Sequence, residues 1–351
     1  MSHQHFLDLL GITNLVPGPN STEMAIHCGY HRAGWKGLIV AGVCFILPSV
    51  LLTMIFAYLF IELGRRFNIE AYMGGIHAAV LVVILFAVYR LGKKTIRARH
   101  DWLIAGTSAL TYWLGVSAIL SLLAGALIGI VLKWGRPWRK VSGFLPLGIF
   151  SVFPQLQTGP WLAAFPDVVP ANMISLGKIF GVFLKIGCVL FGSGYVLVAY
   201  VEHDLIHRLG WLTEVQLLDA VAIGQFTPGP VLSTAAFIGY QLSGFKGAIV
   251  ASLAIFLPSF VIVLMVNPFV KHIRNSEFWS KALDAVNASV IGLMAAVLIS
   301  LGTGILADMG SLMIFIICLV LVVRFPKVSS ITLVAVGLIF GIIFGIKGGL
   351  A

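Results

Sequence analysis

Long apolar runs, separated by short polar loops, dominate the chain. A helix needs about 20 apolar residues to cross the hydrocarbon core of a bilayer, and five runs come close to that length. They predict membrane-spanning helices over Leu38–Ile61, Gly75–Leu91, Leu176–Val201, Gly247–Val270 and Leu283–Leu306.

Two further apolar stretches predict hairpins of short helices. Trp102–Leu132 is too long for one crossing and has Gly115 near its middle. Near the end of the chain, Met309–Val323 and Ser329–Ile346 are separated by a turn that contains Pro326. Glycine and proline interrupt helices, so we expect the same hairpin at both places.

The composition agrees with a membrane protein. Of the 351 residues, 59% are hydrophobic and 10% are charged, and the mean hydropathy is +1.03. Ordinary soluble domains have about 25% charged residues, so a soluble enzyme, a disordered chain and a secreted disulfide scaffold are excluded. The net charge of +10 lies in loops between apolar runs, which is typical of membrane topology rather than nucleic-acid binding. We expect an all-α, polytopic membrane protein.

The second half of the chain repeats motifs of the first at a spacing of about 210 residues. The Pro-Gly-Pro motif at Pro17–Pro19 recurs at Pro228–Pro230, and Leu47–Ser49 recurs at Leu257–Ser259. Transporters are commonly built from such internal repeats. We therefore expect a first repeat over 1–142 that lacks a counterpart of the helix Leu176–Val201, a proline-rich interfacial linker over 143–175, and a second repeat over 176–351.

The charges of the loops indicate that the two repeats are inverted. Arg90–Arg99 has five basic residues, so the positive-inside rule places it in the cytoplasm. The balanced loop Glu62–Glu70 then lies outside, whereas its counterpart Lys271–Lys281 has three basic residues and one Glu and prefers the inside. Equivalent loops on opposite sides predict repeats of inverted topology.

The same topology predicts that Val215–Gln241 is a re-entrant pair of half-helices, broken at the Pro-Gly-Pro motif. A helix that restarts after the break presents unpaired N–H groups and the positive end of its dipole, which suits a small anion. The alternative is a mere kink in a spanning helix. Hydroxyl and amide residues follow both breaks, and the predicted substrate site comprises Pro17, Gly18, Pro19, Asn20, Ser21, Thr22, Pro228, Gly229, Pro230, Ser233 and Thr234.

Four ionisable residues near the breaks are candidates for proton coupling. Glu23 has the spacing of a capping box with Asn20, but a carboxyl at membrane depth could also titrate during transport. His27 lies four residues later on the same helical face. Asp8 and Asp219 precede the two breaks at equivalent positions, as either proton sites or structural residues.

Lys185 and a glycine-rich motif complete the predicted site. Lys185 either extends back to the membrane interface or faces the bundle and supplies positive charge to the anion. Gly192 and Gly194, in Phe191–Gly194, allow close helix packing or leave a gap that faces the anion.

Three segments resemble the chromate ion transporter family. They are Asn14–Ala25 (NLVPGPNSTEMA), Phe191–Gly194 (FGSG) and Gln225–Pro230 (QFTPGP). The resemblance covers essentially the whole chain and implies fused, inverted halves and chromate efflux across the bacterial inner membrane, with sulfate as a chemical look-alike.

The sequence therefore predicts a secondary transporter that exports chromate and confers chromate resistance, with sulfate as a second candidate substrate. The alternatives are a membrane subunit or inactive paralogue that requires a partner, and a carrier for another small anion. Neither a P-loop nor an HExxH or GxSxG pattern occurs, so we expect no enzyme activity. We also expect no cofactor, no metal and no nucleic-acid partner. The expected environment is the lipid bilayer, and the sequence leaves open whether the chain forms a homodimer.

Overall fold

The computed structural model describes residues 20–67, 70–133, 174–266 and 277–344, which form helices and no strands. Asp8, the first Pro-Gly-Pro motif (Pro17, Gly18 and Pro19) and nearly all of the linker predicted over 143–175 lie outside the described residues.

The helices follow the order of the two predicted repeats. The first part has α1 (Asn20–Phe67), α2 (Glu70–Thr95), α3 (Arg99–Trp113) and α4 (Ala118–Lys133). The second part has α5 (Leu176–Val189), α6 (Val196–Val201), a π-helical turn (Glu202–Arg208), α7 (Glu214–Phe226), a 3-10 turn (Val231–Ser233), α8 (Thr234–Val266), α9 (Glu277–Ile305), α10 (Met309–Arg324) and α11 (Ser330–Phe344).

Four helices in the described ranges are long and apolar enough to cross a membrane. They lie within α1, α2, α9 and the segment Val231–Val266. These helices match four of the five predicted spans over the residues that the structure describes. The two predicted hairpins are confirmed as α3–α4 and α10–α11. Gly115 has a φ of +83° in the first hairpin turn, in the left-handed region that glycine adopts without strain.

The fifth predicted span, Leu176–Val201, is wrong as a continuous helix. The chain leaves the helical conformation between Val189 and Val196. Gly192, inside this break, has a φ of +86°, a conformation that no helix continues. The apolar composition of this segment contained no information about the interruption.

Helices α1 and α8 each contain a sharp turn at the same place in the repeat. Gly34 and Gly244 have φ values of 58° and 60°. Before and after these turns, Gly29 lies directly against the carbonyl oxygen of Gly37, and Gly239 lies in the same way against Gly247. Each short segment therefore folds back along the long segment that follows it.

The long segments of α1 and α8 run antiparallel to each other. Gly42, early in α1, packs against Phe260, late in α8. Tyr58, late in α1, stacks on Phe245, early in the long segment of α8, with 6.0 Å between ring centroids. The two helices that carry the recurring Leu-Pro-Ser motif thus contact each other in opposite directions.

The long helices α2 and α9 each pack on the hairpin of the other part of the chain. Helix α2 packs against α10 and α11, and α9 packs against α3 and α4. Small residues permit both contacts at backbone distance: Gly75 meets Gly337, and Ala285 meets Gly129. Each hairpin therefore covers the long helix of the other repeat.

Candidate functional site

The second Pro-Gly-Pro motif interrupts a helix. Helix α7 ends at Phe226, Thr227 adopts an extended conformation (φ −92°, ψ 119°), and helical structure resumes at Val231. Gly229 has a φ of +134°, which L side chains rarely adopt. These conformations give the chain two short helical segments joined by the Thr227–Pro230 break.

The glycine-rich break of Leu190–Tyr195 lies beside the Pro-Gly-Pro break. A Cβ atom added to Gly194 would lie 3.0 Å from Cβ of Val231. The Tyr195 hydroxyl donates a hydrogen bond to Oε1 of Gln225, over 3.1 Å. The structure thus brings Gly194 to the predicted site, whereas Gly192 packs near Asn287 of α9.

Buried hydroxyl groups follow the Pro-Gly-Pro break. Ser233 and Thr234 are buried, and neither side-chain oxygen has a hydrogen-bond partner. Such groups are uncommon, since most buried polar atoms in proteins are hydrogen-bonded. These two hydroxyls are therefore available to a ligand.

The equivalent positions in α1 are also buried and polar. Thr22 and Glu23 correspond to Ser233 and Thr234, and the side-chain oxygens of both lack a partner, as do the ring nitrogens of buried His27. Because neither oxygen of Glu23 is hydrogen-bonded, the predicted capping box is wrong. Ser21, by contrast, is exposed and lies on a different face of the helix from this cluster.

Asp219 forms a buried pair with a histidine of the first repeat. Its Oδ1 atom lies 2.7 Å from Nε2 of His77, and both side chains are almost fully buried. Helix α2 supplies the histidine, and α7, which leads into the Pro-Gly-Pro break, supplies the acid.

Lys185 pairs with Asp204 in the π-helical turn. The two charged atoms are 2.8 Å apart, and the lysine side chain is 8% exposed, so the alternative in which Lys185 extends to the interface is wrong. Its charge is offset locally by the carboxylate. Lys185 as a ligand of the anion stays a prediction.

The two acids of the π-helical turn, Glu202 and Asp204, are buried. Burial by itself would raise the pKa of Asp204, but a hydrogen bond from His203 and the charges of Lys185 and Arg208 lower it to about 2. Glu202 accepts hydrogen bonds from Ser300 and His207, each over 2.9 Å. Paired acids of this kind are compatible with burial.

Metal binding finds no support in the described part of the chain, where no three His, Cys, Asp or Glu side chains lie close enough together to hold an ion.

Comparison with known proteins identifies the family. The family model "Chromate transporter" matches residues 1–130 and 177–342. The chain belongs to the chromate transporter family. This is a family of transporters rather than enzymes. The long apolar helices of the chain fit a multi-pass membrane protein.

Curated relatives match nearly the whole chain. The chromate transport protein of Cupriavidus metallidurans is 29% identical over 95% of this chain and 82% of its own length. That of Pseudomonas aeruginosa is 30% identical over 86% and 72%, and the probable chromate transport protein of Synechococcus elongatus is 29% identical over 99% and 87%. No solved structure matches the chain.

In this member of the chromate transporter family, three residues without a predicted role contact residues of the predicted site. His77 and Asp204 were missed because each pairs with a residue that only the fold brings near, Asp219 and Lys185. Ser49 appeared in the repeated Leu-Pro-Ser motif, but the sequence assigned it no role. Its recurrence as Ser259 was the one available signal.

Proposed function

We propose that the chain is a secondary transporter that exports chromate across the bacterial inner membrane, that sulfate competes for its site, and that export confers chromate resistance. The observation that carries the proposal is the set of buried, unpartnered hydroxyls at the Thr227–Pro230 break in a member of the chromate transporter family.

The break suits a tetrahedral oxyanion because it offers donors without a fixed charge. Helical structure restarts at Val231, where the first N–H groups have no acceptor in a preceding helical turn, and the helix dipole provides roughly half a positive charge. Ser233 and Thr234 add hydroxyl donors. Chromate and sulfate both carry oxygen acceptors in a tetrahedral arrangement, so one set of donors serves both anions.

The packing register supports the convergence of both breaks at one level. Gly29 opposes Gly37, and Ile26 opposes Gly42, so the same antiparallel register places Asn20 level with Pro48. The next residue, Ser49, touches Gly229 of the second break. The start of α1, which directly follows the first Pro-Gly-Pro motif, therefore lies level with the second motif.

The antiparallel contacts of α1 and α8 and the exchanged hairpins support two inverted repeats, over 1–142 and 176–351. Inverted repeats around a central site are the usual basis of alternating access. In this scheme, movement of one repeat against the other exposes the site to each side of the membrane in turn.

Proton coupling is proposed to involve Glu23 and His27. Both side chains are buried in α1 without hydrogen-bond partners, and ionisable residues within membrane helices commonly mark proton pathways. Asp219 is the third described candidate, and its contact with His77 gives it a partner for a proton.

The experiment is transport by the purified chain in liposomes. We expect the liposomes to take up chromate without ATP through the molecules that are inserted inside out. Excess sulfate should reduce the rate of chromate uptake. The double variant Pro228→Ala/Pro230→Ala should let the helix continue, withdraw the N–H groups and abolish transport, while the control Pro326→Ala, in the α10–α11 turn, transports normally. Absence of transport by the wild type would contradict the proposal and favour a subunit that requires a partner.

A further inference from the structure

Helix α1 of the first repeat closes the break in the second repeat. We infer that the hydroxyl of Ser49 is a ligand of the oxyanion bound at the Thr227–Pro230 break. The inference rests on the proposed function and deepens it, because it adds a substrate-binding residue from the opposite repeat.

Ser49 is fully buried and has no hydrogen-bond partner. Its relative exposure is 0%, and its Oγ atom has no donor or acceptor within range. A serine within a helix commonly donates to the carbonyl group four residues earlier, as Ser252 does to Ala248 over 2.8 Å. Ser49 does not use that option, so its hydroxyl is free to bind elsewhere.

The hydroxyl of Ser49 lies against the centre of the Pro-Gly-Pro motif. A Cβ atom added to Gly229 would lie 2.6 Å from Cβ of Ser49 and 2.7 Å from its Oγ atom. Only glycine fits this contact, and its φ of +134° also favours glycine. The side chain of Ser49 is therefore at the break itself.

Thr53 holds this part of α1 in place. Its hydroxyl donates to the carbonyl oxygen of Ser49 over 2.9 Å and lies 3.2 Å from Oγ1 of Thr227. Thr227 directly follows the last residue of α7. One turn of α1 therefore contacts both the first and the third residue of the break.

The resulting donors come from two directions. Ser233 ends the 3-10 turn after the break, and Thr234 begins α8. Ser49 lies on the segment of α1 that packs across the break, and α1 also contacts the 3-10 turn that contains Ser233. A tetrahedral anion accepts hydrogen bonds in several directions at once. A bound oxyanion would satisfy hydroxyls that are otherwise buried without partners, which is a costly state.

The experiment measures chromate and sulfate binding to the purified full chain in lipid nanodiscs by titration calorimetry. Ser49→Ala should raise the dissociation constant of both anions about 10-fold or more, the scale of a hydrogen bond to a charged group. Ser252→Ala is the matched control: it removes a buried hydroxyl that bonds only within its own helix, and it should bind both anions as the wild type does.

Ser49→Cys protects the test against misfolding. It nearly preserves the size of the side chain but replaces the hydroxyl with a weak donor, so it too should weaken binding while the protein stays folded. If Ser49→Ala or a folded Ser49→Cys binds both anions as tightly as the wild type, the inference is wrong and the proposed function stands. If the wild type binds neither anion, both fail.

Discussion

His77 Nε2 lies 2.7 Å from Oδ1 of Asp219, and this contact joins the first and second parts of the chain within the protein interior. His77 belongs to α2, and Asp219 belongs to α7, which ends at the Thr227–Pro230 break. A displacement of α7 that opens the site must therefore lengthen this contact or move α2 with it. The pair is placed to report on the conformation of the break.

Removal of either partner should destabilise the protein. His77→Ala or Asp219→Ala leaves a buried polar or charged group unpaired, and we expect a loss of about 3–5 kcal/mol. The double variant should lose less than the sum of the single variants. Thermal unfolding in detergent measures the double-mutant cycle, and His100→Ala, whose side chain is 42% exposed, is the control. Additive losses would show that the two residues do not interact.

Lys185→Gln should act mainly on stability. It leaves Asp204 buried without its lysine, although His203 and Arg208 remain beside it. We expect a loss of up to about 3–5 kcal/mol, and we expect Asp204→Asn to restore part of it. Thermal unfolding of both variants measures this effect.

The Lys185→Gln/Asp204→Asn double variant also tests the prediction that Lys185 binds the anion. If Lys185 of the wild type is not a ligand of the anion, the double variant transports chromate with an unchanged KM. A KM raised about 10-fold or more, on the scale of a hydrogen bond to a charged group, would instead assign Lys185 to the substrate.

Glu23→Gln should separate binding from coupling. Glutamine retains the size of the side chain but cannot exchange a proton, so we expect unchanged chromate affinity and a flux that no longer responds to a pH gradient. Flux into liposomes at several imposed gradients, with affinity measured separately, checks this expectation. Glu214→Gln, at the partly exposed start of α7, serves as the control. A variant that keeps the pH response of the wild type would remove Glu23 from the coupling path.

Single cysteines test the inverted repeat directly. Arg97 and Ala307 are exposed and lie in the equivalent connectors that follow α2 and α9. In a background without the four native cysteines, Arg97→Cys and Ala307→Cys should react with an impermeant thiol reagent from opposite sides of the membrane. Labelling of both from one side would contradict inverted topology.

Sequence patterns predicted the elements whose signals are local. Hydropathy located the long helices, and Gly115 and Pro326 marked the two hairpin turns. The break near Gly192 escaped, because an apolar run does not report backbone dihedral angles. Asp204 was given no role because its partner, Lys185, lies on another helix.

The candidate site was predictable only in part for the same reason. The Pro-Gly-Pro motif and the following hydroxyls were recognisable from the chain, since proline and glycine affect the backbone where they stand. His77 and Ser49 were not assigned, because their positions beside Asp219 and Gly229 depend on how the repeats pack. Contacts between residues far apart in sequence require the fold.

The exchange of hairpins between the repeats also constrains how the protein is made. Hairpin α3–α4 covers α9, and α10–α11 covers α2. During synthesis, helix α2 leaves the ribosome long before the hairpin that will cover it. We therefore expect α2 to keep an uncovered face in the bilayer until α10 and α11 have been inserted.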